Sequence, residues 1–415
     1  MGHTFSKAIL CWIIYINLKI CSPYPVTIRY HCAMSNPSQL QQAEHTLGFT
    51  ADERGKVRAK LLRWYDSKKR MLPWRGESNP YRIWVSEVML QQTRVETILE
   101  RYPRFLIRFP TLKSLSSAPL ESILSEWQGL GYYGRAKNLH RAARIITNTH
   151  RGNFPRDRDS LRLLPGFGPY IAGAVASIAF GERAAAVDGN VVRVLSRTLD
   201  LSEPADTLQG KSILETEAAA LVPPSRPGDF NQALMDLGSL VCLPKQPHCH
   251  ACPVANHCSA HAAGTTALRP IKMKKKPPKI VTVFQVWANR HQTIRLVRRK
   301  ERGLFGGLWE LPGLMVDGLP KSPNEKAFST LCRTALGQRW GPAEEIVRLT
   351  RTLTHRKILF IVIRATESKE KRGRAHSSKD MIWAKDSDIS ALPLSSAQRA
   401  VIDATREALA NGQGN

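Results

Sequence analysis

A chain of 415 residues with 42% hydrophobic content can bury cores for two or three domains, which excludes a wholly disordered polypeptide. Its 61 Lys and Arg against 34 Asp and Glu leave a formal charge of +27, which points to a polyanionic partner, nucleic acid first. No apolar run reaches the length of a membrane span.

Residues 1–50 are expected to be an irregular N-terminal extension. The apolar run Ala8 to Ile16 follows Lys7 as in a signal peptide, but no small-residue cleavage site comes after it. Residues 1–43 hold no Asp or Glu, as in a mitochondrial presequence. An overlong gene start, with Met34 as initiator, is the preferred explanation.

Residues 51–262 are predicted to form an all-α domain, because apolar groups recur at three- and four-residue spacing and no useful strand alternation interrupts them. Val85 to Leu99 reads as one helix with Val85, Val88, Gln92, Val95 and Leu99 along its apolar stripe. Glu87 falls off that stripe and reads as a solvated glutamate. Gln92 places an amide on an otherwise apolar face.

Leu164-Pro165-Gly166-Phe167-Gly168-Pro169-Tyr170 sits between two helical stretches. Gly166 and Gly168 free the backbone to turn and to bring N–H groups against a phosphate. The next helix, Tyr170 to Phe180, offers its N-terminus to an anion, and its small residues permit close packing. This is a helix-hairpin-helix pattern. Asp188, in Ala186-Val187-Asp188-Gly189-Asn190-Val191, reads by itself as an N-cap or turn aspartate.

Of eight cysteines, four crowd together as Cys242, Cys249, Cys252 and Cys258, with six, two and five residues between them. Four thiolates can hold zinc or a [4Fe–4S] cluster. Structural zinc usually takes two close pairs, and only one pair is close here, so the spacing favours iron–sulfur, in a structural role. Cys11, Cys21, Cys32 and Cys332 show no ligand spacing.

Residues 263–279 form a basic linker that Pro and like charge should keep extended. Residues 280–410 then read as an α+β domain. Its expected strands are Ile280 to Ala288, Thr293 to Val297, Ile346 to Leu353 and Ile358 to Ile363. A hairpin is expected to turn near Asn289, and Asn324 to Leu336 is predicted helical.

Taken in order, Ser86-Glu87-Val88-Met89-Leu90-Gln91-Gln92-Thr93, Gly129-Leu130-Gly131-Tyr132-Tyr133, the Leu164 to Tyr170 hairpin, Val187 to Val191 and the four cysteines closely resemble the MutY-type adenine DNA glycosylases of the endonuclease III-like superfamily. The match is dense over residues 57–260 and loose over 280–400.

The resemblance implies a monofunctional glycosylase that removes adenine mispaired with 8-oxoguanine or guanine in double-stranded DNA, acting as a monomer with a [4Fe–4S] cluster and no membrane partner. It implies that Glu87 protonates adenine N7 and that Asp188 stabilises or attacks the oxocarbenium ion. Tyr170 and Asn190 would orient the pair and the sugar. Gln92 and Tyr132 would wedge into the duplex, while Trp74, Arg75, Leu90 and Gln232 would surround the adenine. Strand-cleaving relatives carry a Schiff-base lysine where this chain has Tyr170.

The word Gly307-Leu308-Trp309-Glu310-Leu311-Pro312 resembles the Nudix-like lesion reader of the same family, in which Thr354 and His355 would meet the oxidised guanine. Asn324 to Leu336 offers only Glu325 as an acid, so this domain should bind rather than hydrolyse. The family often shows Phe-Ser-His where this chain reads Leu353-Thr354-His355.

The expected location is the bacterial cytoplasm with the nucleoid, or the mitochondrion and nucleus if the source is eukaryotic. The main alternative is a bifunctional endonuclease III-like glycosylase/lyase acting on oxidised pyrimidines, which Tyr170 and the C-terminal domain oppose. A non-catalytic iron–sulfur DNA-binding protein is opposed by the presence of both carboxylates. A Nudix hydrolase with a DNA-binding arm is opposed by the missing acidic helix.

Overall fold

The computed structural model describes residues 48–274, 277–301, 303–319, 325–336, 340–353, 356–367 and 380–411. Ala8 to Ile16, Met34, Thr354 and His355 lie outside the described residues.

The first half is helical, as the periodicity predicts, and its helices build two cores. One core joins residues from Trp74 to Ala184, with Trp84, Met89, Ile98 and Trp127 almost wholly buried. Burying such a side chain stabilises the fold by roughly 1.5–3 kcal/mol. The other core joins the first helix, Ala51–Lys68, to residues from Ala185 to Val254. The chain therefore starts in one lobe, builds the other and returns. Phe49 is buried in the returning lobe, and Thr50 caps the first helix in a reciprocal box with Glu53. Gly48 to Thr50 thus belong to the fold rather than to an irregular extension.

The helix predicted from Val85 to Leu99 is two helices, Pro80–Leu90 and Val95–Arg108. Asn79 starts the first, accepting from the Tyr81 N–H at 2.9 Å, with Pro80 at its first turn. The break falls at Gln92, whose φ is +56°. Gln92 is therefore exposed on a turn and does not interrupt a buried face. Leu99, expected on the apolar stripe, is 40% exposed on the second helix. Glu87 is buried, not solvated: the Pro80–Leu90 helix lies between neighbours on nearly every side, and eight of its eleven residues are buried.

Of the two hairpin glycines only Gly166 needs to be glycine for its backbone; Gly168 has φ −68° and open space where a Cβ would stand. Gly166 has φ +82°, and a Cβ there would lie 2.8 Å from the Asn138 Cβ. Gly168 precedes the Pro169–Phe180 helix. In that helix a Cβ at Gly173 would lie 2.0 Å from the Ala185 carbonyl oxygen, so the glycine lets the segment leading to Asp188 pass in contact.

The linker is less free than its composition suggests. The Ala205 N–H donates to the Ile271 carbonyl at 2.9 Å, and Arg269 pairs with Asp200 at 2.8 Å. Its first half lies docked on the helical lobe.

The C-terminal half is α+β. One sheet has the order β5(Gly313–Asp317), β1(Lys279–Trp287), β7(Arg356–Glu367), β6(Trp340–Leu353). In it β1 and β7 run parallel, and the other pairs are antiparallel. The second sheet joins β2(Asn289–Arg290), β3(Thr293–Arg298) and β4(Trp309–Glu310), with β8(Met381–Lys385) on the other side of β3. The Ser396–Asn411 helix covers one face of the first sheet through Val401 and Ile402, and Glu325–Leu336 covers the other through Phe328 and Cys332.

The expected hairpin exists only as its tip. β1 pairs in one sheet and β3 in the other, and the turn falls on His291 and Gln292, both at positive φ, not on Asn289. Among the described residues no helix is long and apolar enough to cross a membrane.

The two halves touch. Leu308, 1% exposed, joins the core of the first lobe, with Phe305 beside it. The Trp309 indole N–H donates to Glu121 at 2.9 Å, and the Tyr133 hydroxyl donates to the Leu394 carbonyl at 3.0 Å.

Candidate active site

A cleft of about 490 Å³ opens where the two helical lobes meet, and Glu87, Tyr170 and Asp188 all line it. Glu87 comes from one lobe, Asp188 from the other, and the Tyr170 ring packs on both cores.

The Tyr170 hydroxyl donates to Glu87 Oε2 and lies 3.7 Å from the Met235 sulfur. This fixes one carboxyl oxygen. Burial raises the Glu87 pKa, an effect opposed by the Tyr170 hydrogen bond and the Arg75 charge and reinforced by Asp188. A glutamate so placed holds its proton to higher pH than a free one. Burial also pushes the Tyr170 phenol well above its ordinary value, so it remains a donor.

Asp188 is the N-cap of the Gly189–Thr198 helix, as its sequence context predicts. Its Oδ1 accepts from the Val191 N–H at 2.7 Å, and its Oδ2 accepts from the Asn190 amide at 2.8 Å. Burial raises its pKa, while these donors oppose the rise by stabilising the anion. The cap role and a chemical role are therefore compatible: the bonds that end the helix also hold the carboxylate.

Behind Asp188 the bonding continues. Arg193 donates to the Asn190 side-chain oxygen at 2.9 Å, to the Gly238 carbonyl at 2.6 Å and to the Cys242 carbonyl at 2.8 Å. Asn231, 1% exposed, clips the incoming segment by accepting from the Ala186 N–H at 3.1 Å and donating to the Ala184 carbonyl at 2.8 Å. Gly238 packs so closely on Asn190 that a Cβ would lie 2.6 Å from the Asn190 Cβ.

The remaining residues singled out from sequence divide by position. Trp74, Arg75, Leu90, Gln92, Tyr132 and Asn190 line the cleft with the three central groups. Gln232 stands one layer back, where its side-chain oxygen accepts from Arg75. Gly166 and Gly168 are not part of the cleft lining; Gly166 borders a separate small hollow beside Asn138.

Sequence reasoning missed Arg70, Met235, Ser239 and Arg135, which also line the cleft. It missed Asp236 too, fully buried and paired with Arg70 at 2.6 Å and Arg75 at 2.9 Å. The available signal was a single acid in the apolar run Ala233-Leu234-Met235-Asp236-Leu237. Among the described residues the cleft lining holds three arginines and no lysine.

Cys242, Cys249, Cys252 and Cys258 all line one apolar hollow of about 30 Å³, and none is in a disulfide. Two short 3₁₀ turns, Cys249–Ala251 and Ala255–His257, set the spacing of the last three. No three Cys, His, Asp or Glu side chains among the described residues converge as a preformed single-ion site; the thiols are spread round the hollow instead. Burial pushes the Cys252 thiol up to about 11.

Arg197, 2% exposed, braces the loop. It donates to the Leu243 carbonyl at 2.7 Å, the Pro244 carbonyl at 3.1 Å and the Cys242 sulfur at 3.2 Å. Four sulfurs facing one cavity beside a guanidinium suit an anionic thiolate-ligated cluster.

Residues 85–224 match the HhH-GPD superfamily of base excision DNA repair proteins, and residues 282–404 match the NUDIX domain family. The chain is 39% identical to the adenine DNA glycosylase of Arabidopsis thaliana, over 69% of this chain and 51% of that one. It is 35% identical to the adenine DNA glycosylase of Rattus norvegicus, over 74% of this chain and 69% of that one. It is 33% identical to that of Schizosaccharomyces pombe, over 66% of this chain and 73% of that one. The chain thus spans about half the length of the plant relative and about 70% of the other two.

Proposed function

The chain belongs to the adenine DNA glycosylase family, and from that premise we propose that it hydrolyses the N-glycosidic bond of adenine opposite 8-oxoguanine or guanine in duplex DNA. One observation carries the reading: a buried, tyrosine-bonded Glu87 and an N-capping Asp188 line a single cleft from two lobes.

The target adenine is inside a base stack and must leave it to meet either carboxyl group. Trp74, Leu90 and Arg75 then form its pocket, with Gln232 and Asp236 fixing the guanidinium of Arg75. Glu87, whose burial makes it hold its proton to higher pH than a free glutamate, gives that proton to N7 and turns the base into a leaving group. The C1′–N9 bond breaks and its electrons go to the base. Asp188, whose Val191 and Asn190 donors favour the anion against the effect of burial, faces the cationic sugar and stabilises it or bonds to C1′. Glu87, now a carboxylate, takes a proton from the incoming water.

A lyase step needs a primary amine at the sugar. Tyr170 has none, and no lysine lines the cleft among the described residues. The expected product is an intact strand with an abasic site. Residues 242–258 would hold a [4Fe–4S] cluster through the four cysteines, and the cluster would supply a rigid, oriented loop rather than a reacting group. The domain bounds we adopt are 51–262 for the glycosylase, 263–279 for the linker and 280–410 for the lesion reader.

The decisive assay incubates the protein with duplexes bearing adenine opposite 8-oxoguanine, guanine or thymine. Excision opposite the first two, with strand breaks only after alkali, is the expected result. Strand breaks without alkali, or borohydride trapping at full yield, would overturn the monofunctional assignment.

A further inference from the structure

Two residues read as duplex wedges, Gln92 and Tyr132, sit on different turns and share an unusual property. Both are non-glycine residues at positive φ, +56° and +45°. L side chains avoid this region, so each turn must be held by something outside itself. Gln92 is exposed and Tyr132 is 50% exposed.

Arg135 touches both turns. It stands at the start of the Gly134–Thr149 helix, and its two terminal nitrogens divide the work. Nη1 donates to the Val88 and Met89 carbonyls, each at 2.9 Å, and to the Gln91 carbonyl. These are the orphan acceptors at the end of the Pro80–Leu90 helix and the residue just before Gln92. Nη2 donates to the Leu130 carbonyl at 2.7 Å and the Gly131 carbonyl at 3.2 Å, immediately before Tyr132. It also reaches the Thr93 hydroxyl at 3.1 Å, immediately after Gln92. The guanidinium lies over the Trp127 ring at 5.4 Å and the Tyr132 ring at 5.8 Å.

We infer that Arg135 is a positioning residue that clamps the two wedge turns together, fixing the spacing and angle at which Gln92 and Tyr132 enter the duplex. The inference rests on the reading of those two residues as wedges. The physical case is geometric. One planar fork with fixed angles joins two turns that share no backbone hydrogen bond. A lysine could keep the charge, but its three N–H groups cannot span five carbonyls and lie flat between two rings. Without the fork each turn is free to relax toward negative φ. The wedges then lose their common geometry while the cleft carboxylates, on separate contacts with Tyr170 and Asn190, stay in place.

The test uses the full chain with Arg135→Lys, and Thr93→Val as a milder second variant that removes one acceptor from the clamp and leaves the buried guanidinium in place. Two substrates separate positioning from chemistry: adenine paired opposite 8-oxoguanine, and adenine in a single-base bulge, where unstacking is already done. A 2-aminopurine beside the adenine reports unstacking by fluorescence.

Arg135→Lys should lower single-turnover excision from the paired duplex by about tenfold or more, with a smaller fluorescence rise, because the adenine must then leave the stack without well-placed wedges. On the bulge the loss should be markedly smaller than on the paired duplex, since little unstacking remains to be driven. Thr93→Val should show the same pattern at smaller size. Equal losses on both substrates, or no loss on either, would overturn the clamp.

Gln92→Ala combined with Tyr132→Ala is the control for the underlying reading. If that pair excises the duplex at full rate, the wedge assignment itself is wrong. If the pair is slow and Arg135→Lys is not, only the clamp is wrong. If the clamp is right, adding Arg135→Lys to the pair should slow the duplex reaction little further.

Discussion

Glu87 is buried and Asp188 half-buried, and their partners separate their tasks. Asp188 accepts from a backbone N–H and an amide, both of which favour the anion. Glu87 accepts one hydroxyl and is otherwise dominated by burial. Glu87→Gln should therefore keep the shape and the Tyr170 bond but lower excision by about 10²–10⁴-fold, the usual worth of a general acid. Single-turnover kinetics at saturating enzyme would read it. Asp188→Asn should fail comparably; its single carbonyl oxygen can still cap the helix, but its NH2 then faces the Asn190 donor, so thermal stability should fall by the loss of that one bond.

The pH dependence has a definite sign. A Glu87 pKa raised on folding means the folded chain binds more protons than the unfolded one at pH above the ordinary glutamate value. Stability is then lost as pH rises from that value to the folded pKa. Glu87→Gln abolishes this loss, so the variant should gain more stability over the parent at pH 8 than at pH 4. Denaturant titrations at both pH values would show it, and an equal gain at both would refute the raised pKa.

Part of this was legible beforehand. The words around both acids marked them, but periodicity put Glu87 on the solvent side. That failed because nearly every side of this helix packs against neighbours within its own lobe.

At the scale of elements, close backbone passages and buried arginines build the site. Small residues in Pro169–Phe180 were readable as close-packing positions, and Gly173 against Ala185 bears this out. Cysteine spacing marked the loop from Cys242 to Cys258. What could not be read is which arginine serves which carbonyl, since those bonds join residues remote in sequence.

Arg197 shows the consequence. It reaches Leu243, Pro244 and the Cys242 sulfur from the Gly189–Thr198 helix, so the loop depends on it as well as on its own ligands. Arg197→Gln should destabilise the protein by at least about 3 kcal/mol, taking two hydrogen bonds from a charged donor at roughly 1.5 kcal/mol each. It should also lower iron and acid-labile sulfide per chain without altering any group that lines the cleft. Elemental analysis with a thermal melt decides this. Unchanged sulfide content in a destabilised variant would mean the arginine supports the helix alone.

Across the whole molecule, the change from helical to strand pattern near residue 280 was legible, as was the order of the two halves. The contact between them was not, because its main residues come from a word read as part of the Nudix-like lesion reader. Leu308 is buried in the helical core instead, and Trp309 bonds to Glu121. Docking this word against the glycosylase ties the second half to the helical core, including β6 and β7, whose ends Leu353 and Arg356 flank the turn expected to read the lesion.

If that turn reads the base opposite adenine, preference depends on docking while chemistry does not. Leu308→Ala removes a 1%-exposed side chain from the contact and should destabilise it by roughly 2–5 kcal/mol. Calorimetry should then resolve two transitions where the parent shows one coupled transition. Excision of adenine opposite guanine should stay close to the parental rate, since both carboxylates and the hairpin lie on the other side of the contact. The advantage of 8-oxoguanine over guanine should shrink, as the reader no longer meets the duplex at a fixed angle. If both rates fall together, the contact supports the catalytic core rather than recognition. If the advantage survives beside two separate transitions, discrimination resides in the helical half, where Gln92 and Tyr132 are the groups placed to exert it.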